Sequence, residues 1–229
     1  MFKHLPSRSW PKVKRKNIDG TRHYVDADEN IYFSVTNVVN FDKDLEDWYD
    51  RLTKQYGSRE AALGVAEYIK VNAGIIGTKL HSACEDYLNN EFQYRPIDLM
   101  PKAHFDNIKP MLDKIDNIKG QEIQMFSKKL GLAGTVDCVA EYEGVPCIID
   151  FKTSRKLKKE EWIESYYLQA TAYSLMWEEN TGEVIKELRI LMTAEDGQTE
   201  CFRQNRDNFV DKLHETIHEF QMAHSNRQV

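Results

Sequence analysis

The chain has 229 residues, 41% hydrophobic and 30% charged, with 11 glycines and 6 prolines, which excludes collagen-like, low-complexity and disordered chains and suits one domain with a sizeable core. Its formal net charge is −6, from 31 lysines and arginines against 37 aspartates and glutamates, so a uniformly basic nucleic-acid coat is excluded. The charge is uneven: residues 1 to 24 carry Lys3, Arg8, Lys12, Lys14, Arg15, Lys16 and Arg22 against Asp19 alone, a basic N-terminal arm on a more acidic body of residues 25 to 229.

After the arm, His23 to Phe33 predicts two short strands around an Asp/Glu/Asn turn, and Ser34-Val35-Thr36 a helix start. Residues 42 to 56, 58 to 72 and 76 to 90 predict three helices, with Gly57 and Gly74 as the breaks between them. A helix near 101 to 117, kinked at Pro110, completes a helical part of about 34 to 117. The pattern then changes to strands at about 121 to 128, 132 to 142 and 145 to 152, a long helix at 158 to 179, strands at 184 to 193 and 198 to 203, and a last helix at 206 to 223. This order predicts an α/β or α+β domain with one central sheet and its strand-rich part at about 118 to 223.

The hairpin around Glu143-Gly144 is the most informative segment. A turn centred there pairs residues whose numbers sum to 287, so Asp137 is expected opposite Asp150 and Thr135 opposite Lys152, with Cβ atoms about 4.5–5.5 Å apart. Period two puts Asp150 and Lys152 on one face, and Cys147, Ile149 and Phe151 on the other with Val136, Cys138 and Ala140. One face is expected to be core while the other holds two acids and a lysine. Opposed carboxylates repel, and a hard divalent cation such as Mg²⁺ offsets that by taking oxygen ligands from them. A lysine two residues on can stabilise charge on a phosphate or help activate water at the metal. The competing reading is a solvated edge hairpin whose lysine bridges two surface acids.

Asp137, followed by Asp150-Phe151-Lys152-Thr153-Ser154 after the apolar Ile148-Ile149, resembles the signature of the PD-(D/E)XK nuclease superfamily in its RecB-type branch. Gly77-Thr78-Lys79-Leu80-His81-Ser82-Ala83-Cys84-Glu85 resembles the G-T-x-x-H-x-x-x-E element of that branch, and Gln169-Ala170-Thr171-Ala172-Tyr173 its Q-x-x-x-Y motif. The Gly131-Leu132-Ala133-Gly134-Thr135-Val136-Asp137 lead-in is similar to that of the mitochondrial genome maintenance exonucleases and their phage relatives. His81 and Glu85, and likewise Gln169 and Tyr173, are four apart and share a helix face.

The resemblance implies an α/β, restriction-endonuclease-like core: a central mixed sheet flanked by helices, with a helical N-terminal half. It implies a metal-dependent DNA exonuclease acting on single strands or DNA ends in replication, repair or recombination, with Mg²⁺ as cofactor and Mn²⁺ as a substitute. Asp137, Asp150 and the Phe151 carbonyl would hold the metal, Glu85 and His81 would approach it from the helical side, and Lys152 would complete the catalytic set. Gln169 and Tyr173 would orient the nucleic-acid backbone or the lysine, Thr153 and Ser154 would donate hydrogen bonds to phosphate, and Glu122 is a weaker candidate for a supporting acid. The basic arm with Trp10 is expected to track phosphates and stack bases. A catalytically silent nucleic-acid-end binding module of the same fold is the alternative.

Two other patterns point to different chemistry. His214-Glu215-Thr216-Ile217-His218 matches H-E-x-x-H, with His224 at the third-ligand spacing of zinc proteases, but Gln221 stands where that family needs a helix-ending glycine. Cys84, Cys138, Cys147 and Cys201 show no C-x-x-C spacing, and no cysteine triplet follows Tyr173, so neither a zinc knuckle nor the iron–sulfur cluster of some RecB-type relatives is expected. With no apolar run near ~18 residues and no secretory h-region, no membrane partner and a cytoplasmic setting in a bacterium or phage-infected cell are expected. The acid-poor start makes organelle import the alternative address.

Overall fold

The computed structural model describes residues 1–6, 8–18, 20–42, 44–91 and 98–225; Asp19, the one acid of the basic segment, and Lys43, within the first predicted helix, lie outside them. The elements are β1 (Lys14–Ile18), β2 (Thr21–Val25), β3 (Ile31–Ser34), α1 (Val35–Val38), α2 (Glu46–Tyr56), α3 (Arg59–Leu88), α4 (Leu99–Leu112), β4 (Ile115–Ser127), β5 (Leu132–Tyr142), β6 (Val145–Ser154), α5 (Glu164–Thr181), β7 (Glu187–Ala194), β8 (Thr199–Asn205) and α6 (Val210–Ser225). Short 3-10 turns at Glu160–Trp162 and Arg206–Asn208 lead into α5 and α6, which therefore start later than their sequence pattern predicts.

Local chemistry explains most boundaries. Gly57 closes α2 at φ +85°, a left-handed cap that favours glycine, and the Ser58 side chain then accepts the Ala61 N–H to start α3. Gly74 does not break the chain: α3 runs through it for 30 residues, because a helical glycine costs stability without forcing a turn. The helix predicted to 117 ends at Leu112, with Pro110 in its last turn. Ile115 and Ile118, three apart and both buried, belong instead to β4, where a register shift between Asp116 and Gly120 and a φ of +47° at Asn117 put them on one side.

One mixed sheet has the order β1-β2-β3-β5-β6-β7-β8, with β4 also paired to β5. β6 pairs antiparallel with β5 and, through the α5 crossover, parallel with β7. Strands bearing helices on both sides read as continuous apolar runs, and Ile148-Ile149 is such a run. Ile148 packs with Tyr167, Leu168 and Trp177 of α5 and with α6, whereas Ile149 and Phe151 pack with Leu80 and Cys84 of α3 and Phe105 and Ile108 of α4. Both faces of the hairpin are therefore core, which corrects the expectation of one polar face. Val136 lies in the α5-side cluster with its β4 partner Ile123, away from Cys138 and Ala140.

The basic N-terminal segment is built into the body. The Leu5 N–H donates to the Ile118 carbonyl at 2.8 Å, residues 14–18 pair with β2, and the Trp10 ring lies 5.1 Å from that of Trp177. Trp10 thus packs against the core instead of standing free to stack bases.

Along one edge, β5 changes partners. It pairs with β3 at Leu132 and Ala133 and with β6 from Cys138 to Tyr142, so residues 134 to 137 lie in a fork between the two.

Candidate active site

Three strands each bring one carboxylate to this fork. The predicted hairpin register holds from Tyr142↔Val145 to Cys138↔Ile149 and then the ladder stops, so Asp137 and Asp150 are next in register without being ladder partners. Thr135 pairs with Gln124 of β4 and Lys152 with Met192 of β7, not with each other. The opened edge is filled by a side chain: Asp137 Oδ2 accepts the Phe151 backbone N–H at 2.8 Å. On the far side of β5, Gln121↔Cys138 and Ile123↔Val136 set Glu122 in register with Asp137. Glu122 has φ +47°, a conformation that costs a non-glycine residue about 1–3 kcal/mol and tends to persist at functional sites.

Helix α3 covers the acids with His81. Its Nε2 bonds the Phe151 carbonyl oxygen at 2.9 Å, and its Nδ1 lies 3.6 Å from Asp137 Oδ1 and 3.7 Å from Glu122 Oε1. Burial opposes charge on the imidazole, but Asp137 and Glu122 outweigh it and lift its pKa to about 9. Two groups expected to share a metal, His81 and the Phe151 carbonyl, are thus bonded to each other. Glu122 takes the third place instead: His81, Glu122 and Asp137 offer ligand atoms all within 4.8 Å of one another. Glu85, one turn along α3, lines the same open cleft with Gly77, Thr78, Ser82 and Glu122, and burial together with the charge of Glu122 raises its pKa.

Asp150 is 1% exposed, and burial raises its pKa against the opposing pull of Lys152. Its Oδ2 is ion-paired with Lys152 Nζ at 2.6 Å, while its buried Oδ1 has no hydrogen-bond partner among the described residues. A buried, unsatisfied carboxylate oxygen is a costly arrangement that a bound cation would relieve. Burial alone would discharge Lys152; Asp150 and Asp137 more than offset it and hold the ammonium form. Lys152 is also fixed from α5, with Gln169 Oε1 at 3.5 Å and the Tyr166 ring at 5.1 Å, while Gln169 Nε2 donates to the Tyr173 hydroxyl at 3.4 Å. Tyr173 fits because position 134 is glycine: a Cβ there would meet the tyrosine Cε1 at 2.8 Å and its hydroxyl at 2.9 Å.

Asp137, Asp150, Lys152, His81, Gln169 and Tyr173 therefore form one connected site, with Glu85 at its mouth. Thr153 and Ser154 follow on β6, both partly exposed, Thr153 Oγ1 lying 3.8 Å from where a Cβ on Gly77 would be. The competing H-E-x-x-H residues do not gather a site: His214, Glu215 and His218 belong to no group of three close ligand atoms among the described residues, and His224 stacks on Phe220 at 3.9 Å in a helix that continues through Gln221. No helix among the described residues is long and apolar enough to cross a membrane.

Comparison with known proteins bears on this arrangement. The family model of the PD-(D/E)XK nuclease superfamily matches residues 41–227. The chain is 31% identical over 134 residues to human mitochondrial genome maintenance exonuclease 1, a match covering 56% of this chain and 37% of that protein. With the Mus musculus protein the identity is 32% over 115 residues, covering 50% and 32%. The matched region thus spans about a third of these relatives' length. A crystal structure of a Eubacterium rectale protein assigned as an exonuclease superposes with a TM-score of 0.51 at 16% identity, over 86% of this chain and 80% of that one, a likeness of fold.

Proposed function

The chain belongs to the PD-(D/E)XK nuclease superfamily, and we propose that within it the protein is a divalent-metal-dependent DNA exonuclease acting on single strands or DNA ends. The observation that carries this reading is the row of Glu122, Asp137 and Asp150 across three strands, closed by His81 and flanked by the partly buried cation of Lys152. The all-oxygen-plus-imidazole donor set and the unsatisfied Asp150 Oδ1 fit Mg²⁺ or Mn²⁺. Asp137, Glu122, Asp150 and His81 would hold it, with Glu85 within reach at the mouth. Such an ion supplies Lewis acidity at a phosphoryl oxygen and lowers the pKa of water.

The other residues divide the remaining work. Lys152, steadied by Asp150, Gln169 and the Tyr166 ring, places a positive charge where negative charge grows on the phosphate. Phe151 serves through its backbone, its N–H orienting Asp137 and its carbonyl orienting His81. The Thr153 and Ser154 hydroxyls, on the same strand, donate to phosphate oxygens. Replication, repair or recombination is the setting this chemistry suits.

The test is cleavage of end-labelled single-stranded, duplex and covalently closed circular DNA with Mg²⁺, Mn²⁺ or EDTA. Single-stranded and end-bearing substrates should be degraded with metal only, and Asp150→Ala or Lys152→Ala should lose at least about 100-fold, the scale of one preorganised electrostatic contact. Wild-type rates in those variants would sink the assignment, and cleaved circles would replace exonuclease by endonuclease.

A further inference from the structure

Beyond Ser154 the chain leaves the sheet as Arg155-Lys156-Leu157-Lys158-Lys159, four cations in five residues, and turns through Glu160–Trp162 into α5. This segment forms one wall of a cleft of about 810 Å³ that opens from the end of the catalytic strand, with Ser154 at its near end and Glu195 and Asp196 lining it as well. Arg155 and Lys156 are exposed and meet no carboxylate within salt-bridge distance among the described residues. Trp162 is 61% exposed, and its ring lies under Lys159 Nζ at 5.3 Å. Lys158 donates to the Tyr166 hydroxyl and sits 4.7 Å over the same ring that receives Lys152 at 5.1 Å, so Tyr166 joins this segment to the site.

Unpaired cations beside an accessible indole form the combination that grips a single strand: the cations take phosphates, and the ring stacks on a base whatever its identity. We propose that the 154–162 segment is the ledge on which a single DNA strand lies next to the reacting phosphate, with Arg155 and Lys156 on the backbone and Trp162 stacked on a base. Glu195 and Asp196 set the strandedness. A second phosphate backbone in this cleft would face two carboxylates, so the cleft admits one strand and repels a duplex partner. This ledge places positive charge directly beside the end of the catalytic strand.

The inference rests on the proposed nuclease reading, and the experiment separates the two. Binding of fluorescein-labelled oligo(dT) to the full chain is followed by anisotropy in EDTA, where cleavage does not interfere. Trp162→Ala should weaken binding roughly 5- to 100-fold, as loss of one stacked base does, while Trp162→Phe retains most of the affinity. Arg155→Ala with Lys156→Ala should flatten the slope of log K against log salt by about 1.4, from ~0.7 per phosphate contact to a single strand. Blunt duplex should bind more weakly and change little in Trp162→Ala. Unchanged oligo(dT) affinity and salt slope would overturn the ledge, and equal losses for duplex would overturn its single-strand character. Cleavage by Asp150→Ala, measured separately, decides the nuclease reading and leaves the binding result standing.

Discussion

Asp150 keeps a carboxylate among apolar neighbours at 1% exposure, and its ionic partner is a lysine two residues away on the same strand. Such a group is costly to stability unless its surroundings are rigid. Much of that rigidity comes through Tyr173, whose ring fills the space left by the missing side chain of Gly134 and whose hydroxyl reaches Gln169 and so Lys152. Gly134→Ala should therefore displace a buried ring, costing about 1–3 kcal/mol of stability and lowering the nuclease rate with it. Urea denaturation and single-turnover cleavage measure the two losses; a neutral Gly134→Ala would mean that Tyr173 is not held in this way. The hairpin arithmetic around Gly144 brings Asp137 to Asp150 from sequence alone. The same arithmetic applied to the Lys128–Gly131 turn, where Gly131 has φ +68°, sets Glu122 against Asp137. That second register is as legible as the first, since strands are predicted on both sides of the turn; what the sequence hides is the start of β4, where the bulge at Asp116–Gly120 makes the spacing look helical.

At the scale of elements, glycine is the least legible signal. Gly57 and Gly74 look alike in sequence, yet one is a left-handed cap and the other an interior residue of α3. The difference has a measurable consequence. A Cβ at Gly74 meets nothing within 4 Å, so Gly74→Ala should stabilise the protein by about 0.5–1 kcal/mol through helix propensity. Gly57→Ala, with equal open space but φ +85°, should instead destabilise it by about 1 kcal/mol. Opposite shifts in melting temperature are expected from two substitutions identical on paper. A loss at Gly74 would argue that α3 bends there. The strand–helix order and the four motif blocks are readable because each is local, whereas the joining of β1, β2 and β3 to β5 is not. That joining depends on the parallel pairing of Phe33 with Leu132, about a hundred residues apart, which no local pattern encodes.

For the whole molecule, the net charge of −6 is compatible with binding a polyanion because charge acts where it is placed. Part of the acidity is the site itself: Glu122, Asp137 and Asp150 converge on one fork with Glu85 at its mouth, and His81 and Lys152 offset only part of that charge. A divalent cation that binds this folded cradle and not the unfolded chain must stabilise the fold by linkage, about 2.7 kcal/mol at a concentration a hundredfold above its dissociation constant. For a chain of this size that is roughly 5–10 °C in melting temperature. The rise should shrink as pH falls from 8 to 6. His81 has a pKa of about 9 without metal and must give up its proton to become a ligand, so protons compete with the ion more strongly at lower pH. Calorimetric scans with Mg²⁺ or Mn²⁺, against sodium chloride at matched ionic strength to remove screening, measure the effect. The Asp137→Asn/Glu122→Gln double variant should lose it. A metal-induced rise that survives in that variant would place the ion elsewhere in the molecule and with it the chemistry.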